Sequence, residues 1–159
     1  MNPSLELQNE LARRQRKASI VVIGFLILTL GLVAAAFWGA GFVYRPGDPS
    51  MIWPLRIIIL MLGLGAVVLR RTRFAAMRLK DIAAVKGPPA LLKTLHDTTI
   101  QLAFLGGAIA LLGFVITIRT GDWFDMLRGA GVAVIVLIYG YPIKTSWQRA
   151  VELLAPKAE

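Results

Sequence analysis

Residues 19–44 form a run of 26 amino acids without a single Asp, Glu, Lys or Arg. Wound as an α-helix at 1.5 Å per residue, the run reaches about 39 Å, more than the ~30 Å hydrocarbon core of a bilayer. A helix apolar on every side needs an apolar environment on every side. Three further blocks follow. The second, 52–69, is interrupted only by Arg56 near its start, and the third covers 98–118. The fourth, 129–143, has 15 residues and spans only if the Leu127-Arg128 end and the 144–147 end extend it into the interfaces by snorkelling. Three crossings are the alternative. The expected fold is all-α: a polytopic membrane protein with four transmembrane helices and a single membrane domain, 1–159.

Composition agrees. The apolar share is 57% and the charged share 17%, against about 45–50% and about 25% in soluble domains. There is no cysteine, which excludes disulfides and thiolate metal sites. A net charge of +9 would suit a nucleic-acid binder. The basic residues, however, stand beside the ends of the apolar blocks, where they orient the spans, so no nucleic-acid partner is expected. Basic residues also precede the first block (Arg13, Arg14, Arg16, Lys17), as in a signal peptide. Its length far exceeds the roughly 7–15 residues of a signal core, so it reads as a retained span.

Orientation follows from the Lys and Arg count. Four lie in the N-terminal tail, seven in 70–93 and three in the C-terminal tail (Lys144, Arg149, Lys157), against Arg45, Arg56, Arg119 and Arg128 near the opposite turns. Fourteen against four predicts both termini in the cytoplasm, and an integral protein of a bacterial cytoplasmic (inner) membrane. Tyr44, Trp53 and Trp123 would then mark the outer interface and Trp147 the inner one.

The expected organisation is two helical hairpins, 19–69 and 98–143, joined by a basic connection, 70–97, and followed by a tail, 144–159. No helix breaker follows the second span until Gly87-Pro88-Pro89, so its helix is expected to run on past Arg73 with Phe74, Met77, Ile82 and Val85 at helical spacing. A new helix is expected near Ala90, with Leu91, Leu92, Leu95 and His96 at headgroup level. Arg70, Arg71, Arg73, Arg78 and Lys80 are the candidates for contact with anionic lipid headgroups on the cytoplasmic face.

The two outer turns match each other. Tyr44-Arg45-Pro46-Gly47-Asp48 and Ile118-Arg119-Thr120-Gly121-Asp122 are both Arg-x-Gly-Asp, offset by 74 residues. The same offset pairs Ala36 with Ala110 and Gly39 with Gly113, and after a two-residue shift Leu55-Arg56 with Leu127-Arg128. A parallel tandem repeat explains this; turn chemistry and common Gly/Ala matches explain it too.

Few residues offer chemistry. Arg56 and Arg128, with Arg45 and Arg119, are candidates for binding a lipid headgroup or another anion. Near an interface, snorkelling to phosphates accounts for the first two at little cost. Asp48 and Asp122 are placed to pair with them or to cap the next helix. His96, the one histidine, is expected to be an interfacial polar residue. Gly31, Ala35 and Gly39, with Gly106 and Ala110, and Gly129 and Ala133, form small-residue faces for close helix packing, within the chain, against a membrane-protein partner or in self-association.

No acid–base or nucleophile set assembles, and no Asp, Glu or Lys stands deep inside the apolar blocks, where coupled transporters place them. The chain is therefore not expected to be an enzyme or to use a cofactor or metal. The leading expectation is a non-catalytic accessory or structural subunit, or assembly factor, of a larger membrane complex. A small homo-oligomeric channel or carrier for an anionic solute or lipid is the alternative, and a sensor acting through 70–93 a third.

Overall fold

In a computed structural model the described residues are 3–44, 49–145 and 147–148, and all regular structure among them is helical. Four helices are long and apolar enough to cross a membrane. Helix α1 covers Pro3–Val43, α2 Ile52–Arg73, α3 Ala76–Thr120 and α4 Trp123–Gly140, with a 3-10 turn at Pro49–Met51 leading into α2. At 1.5 Å per residue α2 and α4 measure about 33 and 27 Å, close to one bilayer core, while α1 reaches about 61 Å and projects beyond it.

Local chemistry explains the boundaries. Pro54 falls in the first turn of α2, where no backbone N–H is needed. Arg70, Arg71 and Arg73 close its last turn, next to carbonyls that favour positive charge. The helix stops there: the Phe74 N–H returns to the Arg70 carbonyl, and Ala75 is extended at ψ 126°. The expected continuation of the second span past Arg73 is thus incorrect, because a tight cap comes before Gly87. Residues 76–86 form a separate short arm of α3. At Gly87 the backbone takes φ 76°, ψ 174°, a region open only to glycine. Pro88 and Pro89 then start the long arm, where proline is tolerated. Gly121, at φ 71°, ends α3 by returning its N–H to the Thr117 carbonyl, a left-handed helix stop. The Asp122 side chain accepts from the Phe124 N–H at 3.0 Å and caps α4. The fourth helix therefore begins six residues before the apolar block at 129 and needs no extension at its other end, where it stops before Tyr141-Pro142.

Packing places α3 and α4 at the centre. Half of the apolar window of α3 (50%) and 44% of that of α4 are buried inside the chain, against 17% for α1 and 11% for α2. Both outer helices lean on α3 and α4, and no Cα of α1 comes within 8 Å of one in α2 among the described residues. The first expected hairpin, 19–69, is thus not a packed unit. Its two helices pack on the central pair and not on each other, whereas α3 and α4 pack directly, so the 74-residue offset does not carry over into the packing of the two halves.

Small residues decide this. Gly106 of α3 lies against Leu137 and the Ala133 carbonyl of α4, and Gly113 lies against Gly129. In α1, by contrast, Gly31 and Ala35 are exposed, and a Cβ on Gly31 would meet nothing within 4 Å. Gly31 thus mediates no packing within the chain, Gly39 is half-buried beside Phe114 and Thr117 of α3, and the counterparts in α3 and α4 are closed by each other.

At one end of the bundle a second apolar cluster joins Leu11 and Ala18 of α1, Leu79 and Ala83 of the short arm, and Leu91, Leu92 and Leu95 of the long arm with Trp147. Trp147, 3% exposed, is a core residue here and not an interfacial anchor, because the short arm folds over it. Leu91, Leu92 and Leu95 are buried in the same cluster. The same end holds two polar ties to α1: the Gln15 side chain donates to the Pro142 carbonyl at 3.1 Å, and His96 Nδ1 lies 3.3 Å from the Arg14 carbonyl. The N-terminal part of α1, the short arm and residues 141–145 and 147–148 therefore gather at one end, and Tyr44 and Gly121 meet at the other.

Candidate functional site

The polar residues inside the spans are largely satisfied locally. The hydroxyls of Thr29, Thr98, Thr99 and Thr117, all buried, donate to the carbonyls of Phe25, Thr94, Leu95 and Gly113, one turn back. This back-bonding leaves no free donor at those sites.

A charged cluster stands at the end of the bundle where Tyr44 and Gly121 meet. Arg56, one turn into α2, directs Nη2 at both oxygens of Asp125, at 2.9 and 2.8 Å. Arg128, one turn further along α4, places Nη1 3.2 Å from Asp125 Oδ1. Asp125 sits in the first turn of α4, where a carboxylate is favoured by the helix dipole, and its side chain is 2% exposed. The side chains of Arg56 and Arg128 are 36% and 69% exposed. Two guanidiniums thus share one carboxylate, and a formal charge of +1 is left over. The Arg56 Nε is buried with no hydrogen-bond partner, alone in this respect among the described residues.

The three residues form part of the lining of a groove of about 260 Å3 between α2 and α4. Trp53, Arg56, Ile59 and Leu60 of α2 face Asp125, Arg128, Gly129 and Val132 of α4, and Ile116 forms part of the lining. Apart from the triad the walls are apolar.

Sequence reasoning placed Arg56 and Arg128 as equivalent residues, and the structure brings both to one carboxylate. Of the two carboxylates named from the sequence, Asp122 takes the capping role at α4 and pairs with neither arginine, Asp48 lies outside the described residues, and the partner is Asp125, which sequence reasoning missed. The i, i+3 spacing of Asp125 and Arg128 was the available signal. Arg45 also lies outside the described residues. Arg119 is exposed in the last turn of α3 and does not line the groove.

At the opposite end the candidates divide. Arg70 is partly buried, its guanidinium carbon 4.0 Å from the Tyr139 ring centroid and 5.6 Å from that of Phe74, so it stacks on aromatic faces and ties α2 to α4. Arg71 and Lys80 are exposed and Arg73 is half-buried. The side chain of Arg78 is not among those described.

No protein-family model matches the chain, and neither curated proteins nor solved structures yield a significant match.

Proposed function

We propose that the chain is a non-catalytic structural or accessory subunit, or assembly factor, of a larger membrane complex. The observation that carries this reading is the filled centre of the bundle. Gly113 and Gly129 bring α3 and α4 into backbone contact, and the buried threonines turn back on their own helices. A single chain with such a centre offers its periphery as the working surface. That periphery includes an exposed small-residue face on α1, with Gly24, Gly31 and Ala35 at helical spacing and open space above both glycines. Small residues on a membrane helix let another helix approach closely, so a membrane-protein partner or a second copy of the chain would suit it. In this reading the basic end, with both tails and the short arm, faces the cytoplasm of a bacterial inner membrane, and Arg71, Arg73 and Lys80 reach anionic headgroups there.

Extraction from native membranes in mild detergent tests the reading. A stoichiometric, unrelated membrane protein that co-purifies, and is lost in a Gly31→Ile variant of intact fold, is the expected result. A pure homo-oligomer would overturn it.

The surplus charge of the triad beside its groove favours a second reading, a small homo-oligomeric carrier for an anionic solute or lipid. In liposomes, anion or lipid flux by the wild type that is abolished in a folded Arg56→Lys/Arg128→Lys variant would favour the carrier. Lysine keeps the charge but loses the planar fork.

A further inference from the structure

The Arg56–Asp125–Arg128 triad has more positive than negative charge, and one of its donors is buried and unused. An unpaired buried N–H costs free energy until an acceptor reaches it. We propose that the groove between α2 and α4 binds one phosphate-headed membrane lipid, its phosphate held by Arg56 and Arg128 and an acyl chain lying against Ile59, Leu60, Ile116 and Val132. This rests on the groove alone and on neither reading of function above.

Three features select a lipid over a free anion or a partner's carboxylate. The first is depth. Arg56 follows the start of α2 at Ile52 by about 6 Å of helix rise, which puts its guanidinium near the headgroup level of one leaflet. Phosphates are always at hand there. The second is the order of the lining. From Trp53 to Leu60 the groove follows about 10 Å of helix, with Arg56 about one turn before Ile59 and Leu60 along α2, the order of a headgroup and its chain. The third is charge. A formal +1 matches one phosphodiester, and guanidinium binds phosphate through paired N–H groups. Asp125 holds both arginines in place, and its charge is already counted in the surplus of one.

Delipidated full-length protein in detergent, titrated with phosphatidylglycerol and read by native mass spectrometry, tests the proposal. Two parallel titrations use diacylglycerol, which has the chains without the phosphate, and inorganic phosphate, which has the anion without the chains. One tight phosphatidylglycerol per chain is expected. Its affinity should fall about tenfold in Arg128→Gln, the loss of one charge-assisted hydrogen bond, and both control ligands should bind far more weakly. Because Arg56→Gln alone strands a buried carboxylate, the second variant is Arg56→Gln/Asp125→Asn, which keeps the formal +1 but removes the Arg56 donors, and should show a smaller but measurable loss with its thermal midpoint close to wild type. Unchanged phosphatidylglycerol affinity in both variants would overturn the proposal. Equal binding of diacylglycerol would reduce the groove to an apolar surface, and displacement by inorganic phosphate at equal concentration would make it a free-anion site. A protein partner released by Arg128→Gln, with lipid affinity intact, would assign the arginines to that partner.

Discussion

Gly113 and Gly129 meet backbone to backbone where α3 crosses α4: a Cβ on Gly129 would stand 2.8 Å from the Gly113 Cα, and one on Gly113 would stand 3.1 Å from the Gly129 Cα. Main-chain atoms cannot swing aside as a flexible side chain does, so even a methyl group would force the two central helices apart. Gly129→Ala should cost about 1–3 kcal/mol, the usual penalty of overpacking. Gly131, two residues on, faces open space, and Gly131→Ala should cost nothing. Thermal unfolding of both variants in the same detergent measures the difference. Equal shifts would show that close approach is not what holds the pair.

Asp125 is the pivot of the charged cluster, and removing its closer partner should be more costly than removing the more exposed one. Arg56→Leu, which leaves the buried carboxylate with only the 3.2 Å contact to Arg128, is expected to destabilise by about 3 kcal/mol. Arg128→Gln should cost about 0.5 kcal/mol, as an exposed pair does. Arg56→Leu/Asp125→Leu should recover most of the first loss, since no stranded charge remains. Denaturant or thermal titration of the three variants checks the order.

Gly87 sits between the two arms of α3 in a conformation that costs other residues about 1–3 kcal/mol. Gly87→Ala is therefore expected to loosen the short arm, 76–86, from Leu91, Leu92 and Trp147, while the spans stay intact. Hydrogen exchange should report faster amides over 76–86 and unchanged protection over 98–118. Uniform loss of protection would mean that the arm and the bundle fold as one unit.

Arg70 stacked on Tyr139 links the end of α2 to the end of α4. Arg70→Gln and Tyr139→Leu should each destabilise, and in the double variant the losses should overlap by about 0.5–1 kcal/mol. An arginine serving only as a lipid anchor would show no coupling to Tyr139, so a purely additive cycle would return Arg70 to that role.

The orientation is open to direct labelling, because the chain has no cysteine of its own. Cysteine placed at Asp122 should react with an impermeant thiol reagent from outside, and cysteines at Lys80 and Lys144 should react only after the membrane is opened. The reverse pattern would invert the protein.

What the sequence determined alone were the properties that sum along a short stretch of chain. The number of helices long and apolar enough to cross a membrane follows from local length and polarity, which depend on no distant residue. The charge asymmetry of the two ends, the turn at 119–122 and the break at Gly87-Pro88-Pro89 are equally local. Only the tertiary structure decided which helices are neighbours. Between helices already surrounded by apolar chains the hydrophobic effect expresses no preference, so partner choice falls to small-residue fit. The stripe at Gly31 and Ala35 reads like those at Gly106 and Gly129, yet only the latter two are closed by another helix. The same limit hid the site. Asp125 and Arg128 are three residues apart and readable as a pair, whereas Arg56 reaches Asp125 across 69 residues of chain. That pairing exists because α2 and α4 lie side by side, and no local pattern encodes the packing that brings them there.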